Sequence, residues 1–184
     1  MTIKEALESD GFSEDILKGF FEPFIRGVFL DPDLQTSSRI FNWIFRLFST
    51  GLASLPASGM QAISDQLARK IETGRIRLNT RVVSLEPGRV RLDDGSSVEC
   101  KMTVVATDPT VAADFSGQPD LTQFNSGTTL YYALKGRPLT EPILVLNGEN
   151  DGPIKHLCSL TEVAQEYGPR GWSLFSLSTV GEPD

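Results

Sequence analysis

The chain has 184 residues, a formal net charge of −7, two cysteines and a single histidine. The length suffices for one sizeable core, and the acidic balance argues against a broad phosphate-binding surface and so against nucleic acid as a partner. No apolar run reaches the ~18 residues of a membrane span.

The first third reads as helical. Residues 3–8 form a short opening helix that ends near Gly11. Ser13 starts the next, with Glu14 and Asp15 suited to the positive end of its dipole. Ile16, Leu17, Phe20, Phe21, Phe24, Ile25, Val28 and Phe29 make a broad apolar face. Pro23 lies inside that pattern and predicts a kink, because its ring displaces the carbonyl of Gly19 four residues back. A second helix, capped at Thr36, Ser37 or Ser38, runs to about Thr50. Its polar positions Arg39, Asn42, Arg46 and Ser49 form one narrow stripe. A helix so apolar around its girth is normally buried; the other reading is that its aromatics, Phe41, Phe45 and Phe48, line a cavity for an apolar substrate. Contact with a membrane surface has the right residues but lacks a strongly basic polar face.

Ser58 and Gln61 make a capping-box pattern before a helix over 60–73, where Met60, Ile63, Leu67 and Ile71 recur at helical spacing and Gly74 follows. A strand over 75–85 comes next, then a small meander with turns at Pro87-Gly88 and Asp94-Gly95. Val104-Val105-Ala106 does not alternate. A short apolar run of this kind predicts a strand covered on both faces, as in a parallel α/β sheet. The chain offers no βαβ series to build such a sheet, so the strand is expected to pair elsewhere. Its free edges invite self-association. A short helix over 111–114 and a polar, irregular stretch over 117–127 lead to four strands, at 128–134, 143–147, 154–160 and 172–179. Leu130, Tyr132 and Leu134 alternate with Thr129, Tyr131 and Ala133, which predicts an antiparallel sheet with two different faces. Tyr131 and Tyr132 are candidates to present a ring toward a ligand; the other reading is that one of any adjacent pair in a strand simply faces inward. His156 has no sequence partner for a triad or a metal cluster and reads as structural. Cys100 and Cys158 lack metal-ligand spacing and read as buried or half-buried free thiols, with a disulfide between them as the alternative. No charged-then-apolar leader opens the sequence, so the cytoplasm is the default compartment.

An ordered set of segments carries a family resemblance. Leu55-Pro56-Ala57-Ser58-Gly59-Met60, Ile76 to Val82, Val90 to Gly95 and Val104 to Thr107 resemble the middle of FAD-dependent oxidoreductases of the flavin amine oxidase and phytoene desaturase superfamily. Pro23 to Leu30 with Thr36 to Ser38 upstream, and Glu166 to Gly171 downstream, extend the match over essentially the whole chain. The resemblance implies an α+β fold: a helical N-terminal third plus a mainly antiparallel sheet, as in the substrate domain of these enzymes. It also implies a strand segment that belongs to a Rossmann-type domain outside this stretch. Residues 1–74 are expected as the helical part, 75–112 as a β-meander joining the FAD-binding domain, and 113–184 as the antiparallel sheet.

By the same resemblance, the backbone of Val82 lies against the adenine end of FAD and the turn at Ala106-Thr107 approaches the dinucleotide. Gly59, at a helix start, either approaches the flavin with free amides or serves as a plain turn into the helix. No two glycines lie two apart, so the Gly-x-Gly-x-x-Gly fingerprint that holds the pyrophosphate is absent at every offset. The chain is therefore expected to belong to an enzyme that transfers a hydride equivalent from an apolar or amine substrate to FAD, yet to bind no FAD tightly alone. Phe41, Phe45, Phe48 and Tyr132 are its candidate substrate contacts. The alternative is a non-catalytic binding module for a lipid-like ligand or a protein partner.

Overall fold

The computed structural model describes residues 1–119, 124–149 and 151–181. Along the chain come α1 (Ile3–Ser9), α2 (Glu14–Ile16), a π-helical turn (Leu17–Phe21), α3 (Glu22–Phe29), α4 (Ser38–Thr50) and α5 (Gln61–Ala68). The strands β1 (Val82–Glu86), β2 (Arg89–Leu92) and β3 (Ser97–Glu99) precede α6 (Pro109–Ser116). Strands β4 (Thr129–Lys135), β5 (Leu144–Leu146) and β6 (Ile154–Ser159) then lead through α7 (Leu160–Val163) and a 3-10 turn (Gln165–Tyr167) to β7 (Trp172–Thr179). The fold is α+β, with a helical N-terminal part and two antiparallel sheets. Residues 1–64 and those from 125 onward form one compact unit, and residues 65–124 form a second.

The first unit is organised around a helical core. Thr2 caps α1 in a reciprocal box: its hydroxyl accepts from the Glu5 N–H, and its own N–H donates to the Glu5 carboxylate at 2.9 Å. Ile3, Leu7, Phe21, Ile25, Leu34 and Phe41 are buried together, and each large side chain removed from water contributes about 1.5–3 kcal/mol. Pro23 does not break its helix. One residue earlier the turn widens, so that the Glu22 N–H reaches the Leu17 carbonyl five residues back. That π turn absorbs the crowding a proline ring causes in a regular helix.

Asp31 fixes the link from α3 to α4. Its carboxylate accepts from the Asp33 N–H and from both the N–H and the hydroxyl of Thr36. Burial pushes the Asp31 pKa up, but these hydrogen bonds outweigh it and hold the group below its ordinary value.

The sheet of this unit has the order β4-β7-β6-β5, antiparallel throughout. It meets the helices through two close approaches. A Cβ on Gly27 of α3 would sit 1.6 Å from the His156 ring of β6, so only glycine leaves room for that ring. A Cβ on Gly148 would come within 2.7 Å of the Gly19 carbonyl in the π turn. His156 is buried and donates from Nε2 to the Pro23 carbonyl at 2.7 Å. It is structural, as expected, and its partner is a main-chain group that no side-chain pattern in the sequence marks. Desolvation lowers its pKa, against the smaller raising effect of that hydrogen bond.

The second unit holds the meander β1-β2-β3, with Leu92 its buried residue. Asp94 takes up the turn at Gly95: its carboxylate accepts from the Ser96 N–H at 2.8 Å. Asp108 caps α6 by accepting from the Val111 N–H.

Several expectations need correction. The strand over 75–85 shrinks to β1, because Asn79 adopts a left-handed conformation that interrupts extension and residues 75–78 find no partner strand among the described residues. The helix over 60–73 is regular only over Gln61–Ala68, and its apolar face, Met60, Ile63, Leu67 and Ile71, is exposed. Val104-Val105-Ala106, expected to pair elsewhere, forms no strand with any described segment, and Val104 is 81% exposed. Nor does β4 have an inward face: all seven of its residues are exposed. Helix α4 is buried only along Ser38 and Phe41, while Ile40, Trp43 and Leu47 face outward. Of the irregular stretch expected over 117–127, residues 120–123 lie outside the described residues, as does Asn150.

Candidate functional site

The candidate residues fall in two groups, one in each unit, with Gly59 apart. Phe41, Phe45 and Phe48 of α4 join Phe21 and Phe24 in a continuous aromatic cluster. Phe41 and Phe45 have centroids 5.4 Å apart, Phe21 meets Phe41 edge-on at 6.2 Å, and Phe24 meets Phe48 at 5.6 Å. Such tilted and edge-on pairs suit the ring quadrupole and stiffen the helix pair. The cluster is graded. Phe41 is 6% exposed and belongs to the core, Phe45 is half-buried, and Phe48 is 50% exposed at the rim beside the outward-facing Leu47. Phe45 and Phe48 therefore remain available to a ligand while Phe41 supports them. Tyr132 is not part of this cluster. It lies on β4 opposite Phe175 of β7, half open to solvent.

In the second unit, Val82 pairs with Leu92, and an irregularity in register follows before Ser84. Ala106 and Thr107 are exposed and precede the Asp108 cap. The start of α6 is thus already occupied by a carboxylate and offers no free amide pair to a phosphate. Gly59 has φ +84°, with open space where a Cβ would lie, so the chain there admits a close neighbour.

A cleft of about 810 Å³ opens at the other end of the terminal sheet. Arg137, Glu162, Arg170 and Trp172 are among its walls. Arg137 grips Glu162 in a two-pronged ion pair, Nε donating to Oε1 at 2.9 Å and Nη2 to Oε2. The hydrogen bond from Arg137 holds Glu162 below its ordinary pKa. No local pattern in the sequence links Arg137 to a carboxylate 25 positions away. The segment Glu166–Gly171, singled out by the resemblance, supplies much of the wall. Both cysteines are free thiols, and burial pushes the Cys158 thiol up. Among the described residues there is no cluster of metal-ligating side chains, and no helix is long and apolar enough to cross a membrane.

Residues 2–184 match the family described as flavin containing amine oxidoreductase. The chain belongs to that family. Solved structures agree on the fold. A protein of Pyrococcus furiosus superposes with a TM-score of 0.74 at 17% identity, covering 98% of this chain and 49% of its own. An oxidoreductase from Methanosarcina mazei gives 0.72 at 14% identity, with 99% and 47% covered. Reduced UDP-galactopyranose mutase gives 0.67 at 14%, with 98% and 47% covered. The chain spans about half the length of these structures. No curated protein matches the sequence. The family uses FAD, which makes the flavin the cofactor against which the candidate residues are to be read.

Proposed function

We propose that this chain is the substrate-binding portion of a flavin-dependent oxidoreductase that transfers a hydride equivalent from an apolar or amine substrate to FAD. The observation that carries the reading is the family match over the whole chain, joined to an aromatic cluster that runs from the core at Phe41 to the surface at Phe48. FAD, when bound, would supply the redox chemistry; this chain's residues bind and orient. Phe45 and Phe48 contact the apolar body of the substrate, and Tyr132 presents its ring from the terminal sheet. The residues of the second unit suit the close approach of a dinucleotide. Val82 lies at the edge of its meander next to a break in register, and Ala106-Thr107 is open and small. They do not suit the pyrophosphate, because the sequence has no glycine fingerprint and Asp108 fills the nearest helix start.

Trp43, 62% exposed on α4, reports on ligands that reach this surface. Titration of the chain with a long-chain hydrocarbon ligand is expected to shift Trp43 emission to the blue. Phe48→Ala should weaken that response several-fold, and FAD is expected to bind weakly. A yellow protein carrying stoichiometric flavin would refute the division of labour. An unchanged emission spectrum at saturating ligand would refute the apolar substrate surface.

A further inference from the structure

The π turn and α3 together present three differently made sides. Phe21 and Ile25 belong to the buried cluster. Phe24 joins the rim: its ring stacks on Phe20 at 5.6 Å and stands edge-on to Phe45 at 6.3 Å and to Phe48 at 5.6 Å. The third side carries Gly19, Pro23 and Gly27, each four residues from the last, and it receives the β5–β6 hairpin at Gly148 and His156.

His156 makes that contact at one defined atom. It lies on an interior strand, opposite Leu146 of β5 and Ser178 of β7, so its backbone is held from both sides. Pairing with β7 steps from Ile154 against Thr179 to His156 against Ser178, two residues of β6 for one of β7. An irregularity of this kind re-aims the side chains beside it. The ring then enters the notch that Gly27 leaves open, and Nε2 donates to the Pro23 carbonyl. Packing alone is non-directional, and burying an imidazole carries a desolvation cost that an apolar side chain would not. What the hydrogen bond adds is a fixed place for one main-chain atom, and the next residue along the chain is Phe24.

We propose that His156 is a positioning residue for the apolar ligand surface: by holding the Pro23 carbonyl from the sheet, it sets where Phe24 presents its ring to Phe45, Phe48 and the ligand. The inference rests on the reading of that surface given under Proposed function. A binding surface is selective only when the groups behind it lock its side chains in place. Without the His156 bond, the other close approach of the hairpin is Gly148 to Gly19, one turn nearer the N-terminus; α3 pivots there, and a ligand seated on Phe48 meets a displaced Phe24.

The chain has one histidine, so isotope-labelled histidine gives imidazole resonances from His156 alone. Dodecanol added to the whole chain is expected to move those resonances together with Trp43 emission, although the buried ring lies outside the ligand surface. His156→Gln can place its amide nitrogen near the position of Nε2 and should keep the affinity for dodecanol. His156→Leu, of similar bulk but without a donor, should weaken it about fivefold in protein shown by circular dichroism to be folded. Phe48→Ala should then cost little more, because both changes act through the ring of Phe24, and neighbours that share a partner are not additive. Resonances of His156 that stay still while Trp43 responds overturn the proposal, and they decide the matter even if His156→Leu fails to fold. So do wild-type affinity in folded His156→Leu, equal losses in His156→Gln and His156→Leu, or losses from His156→Leu and Phe48→Ala that simply add. A wild-type chain without any Trp43 response is a different failure, since it refutes the ligand surface itself and the positioning role with it.

Discussion

Helices α4 and α5 carry the same kind of sequence signal and meet different fates. Both repeat large apolar residues at helical spacing. In α4 one edge of that pattern, Phe41 with Phe45, packs on Phe21 and Phe24 of the preceding helices. In α5 the pattern Met60, Ile63, Leu67 and Ile71 lies open to solvent. Periodicity says that a segment can bury a face; whether it does depends on another element being there to receive it. Around α4 that element is supplied by the π turn and α3, with Asp31 fixing the link between the helices and Ile3 and Leu7 of α1 joining the same core. Along α5 no described residue plays that part.

Three experiments probe this contrast. The largest effect is expected from Phe21→Ala against Leu67→Ala. Phe21 lies at the centre of the buried cluster, so its removal should cost about 3–5 kcal/mol in urea unfolding, whereas Leu67→Ala should stay within about 0.5 kcal/mol. Equal losses would mean that the face of α5 is covered in solution.

Next comes Gly27→Ala, which forces a methyl group into the His156 ring and should cost about 1–3 kcal/mol by overpacking. Replacing His156 by Ser alongside it should recover part of the loss; no recovery would show that the two residues do not share the contact.

The smallest effect is in pH. The folded pKa of His156 is lowered by burial, so below the unfolded value of about 6.5 the unfolded chain takes up a proton more readily than the folded one. Stability attributable to His156 is therefore full above that pH and falls as pH drops through it toward the folded pKa. His156→Gln should flatten this part of the profile. A wild-type profile unchanged by the substitution would remove the histidine from the account.

Much of the first unit was legible in the sequence. The helices around Phe21 and Phe41 and the terminal strands follow from apolar periodicity bounded by glycine and proline, signals that act within a few residues. Burial was not legible. The run Val104 to Ala106 has the composition of an interior strand and was expected to pair elsewhere; in this chain it is exposed, because composition states what a segment tolerates and not what surrounds it. Similarly, the alternation of Leu130, Tyr132 and Leu134 is real, but both faces of β4 are exposed, since alternation does not say whether another element covers a face. In the candidate site, the grading from Phe41 to Phe48 and the pairing of Arg137 with Glu162 were not legible, since both depend on which elements come together in space.

By itself the sequence determined the family, the order of the elements and the lack of a glycine fingerprint, because these depend on residue identity and spacing along the chain. Only the tertiary structure decided that His156 nests on Gly27 and bonds to Pro23, that Phe48 is a rim and Phe41 a foundation, and that β4 and β5 are the outer strands of the terminal sheet. Those facts arise from contacts between residues far apart in the chain, which are set by shape and by competition for hydrogen-bond partners and leave no local trace.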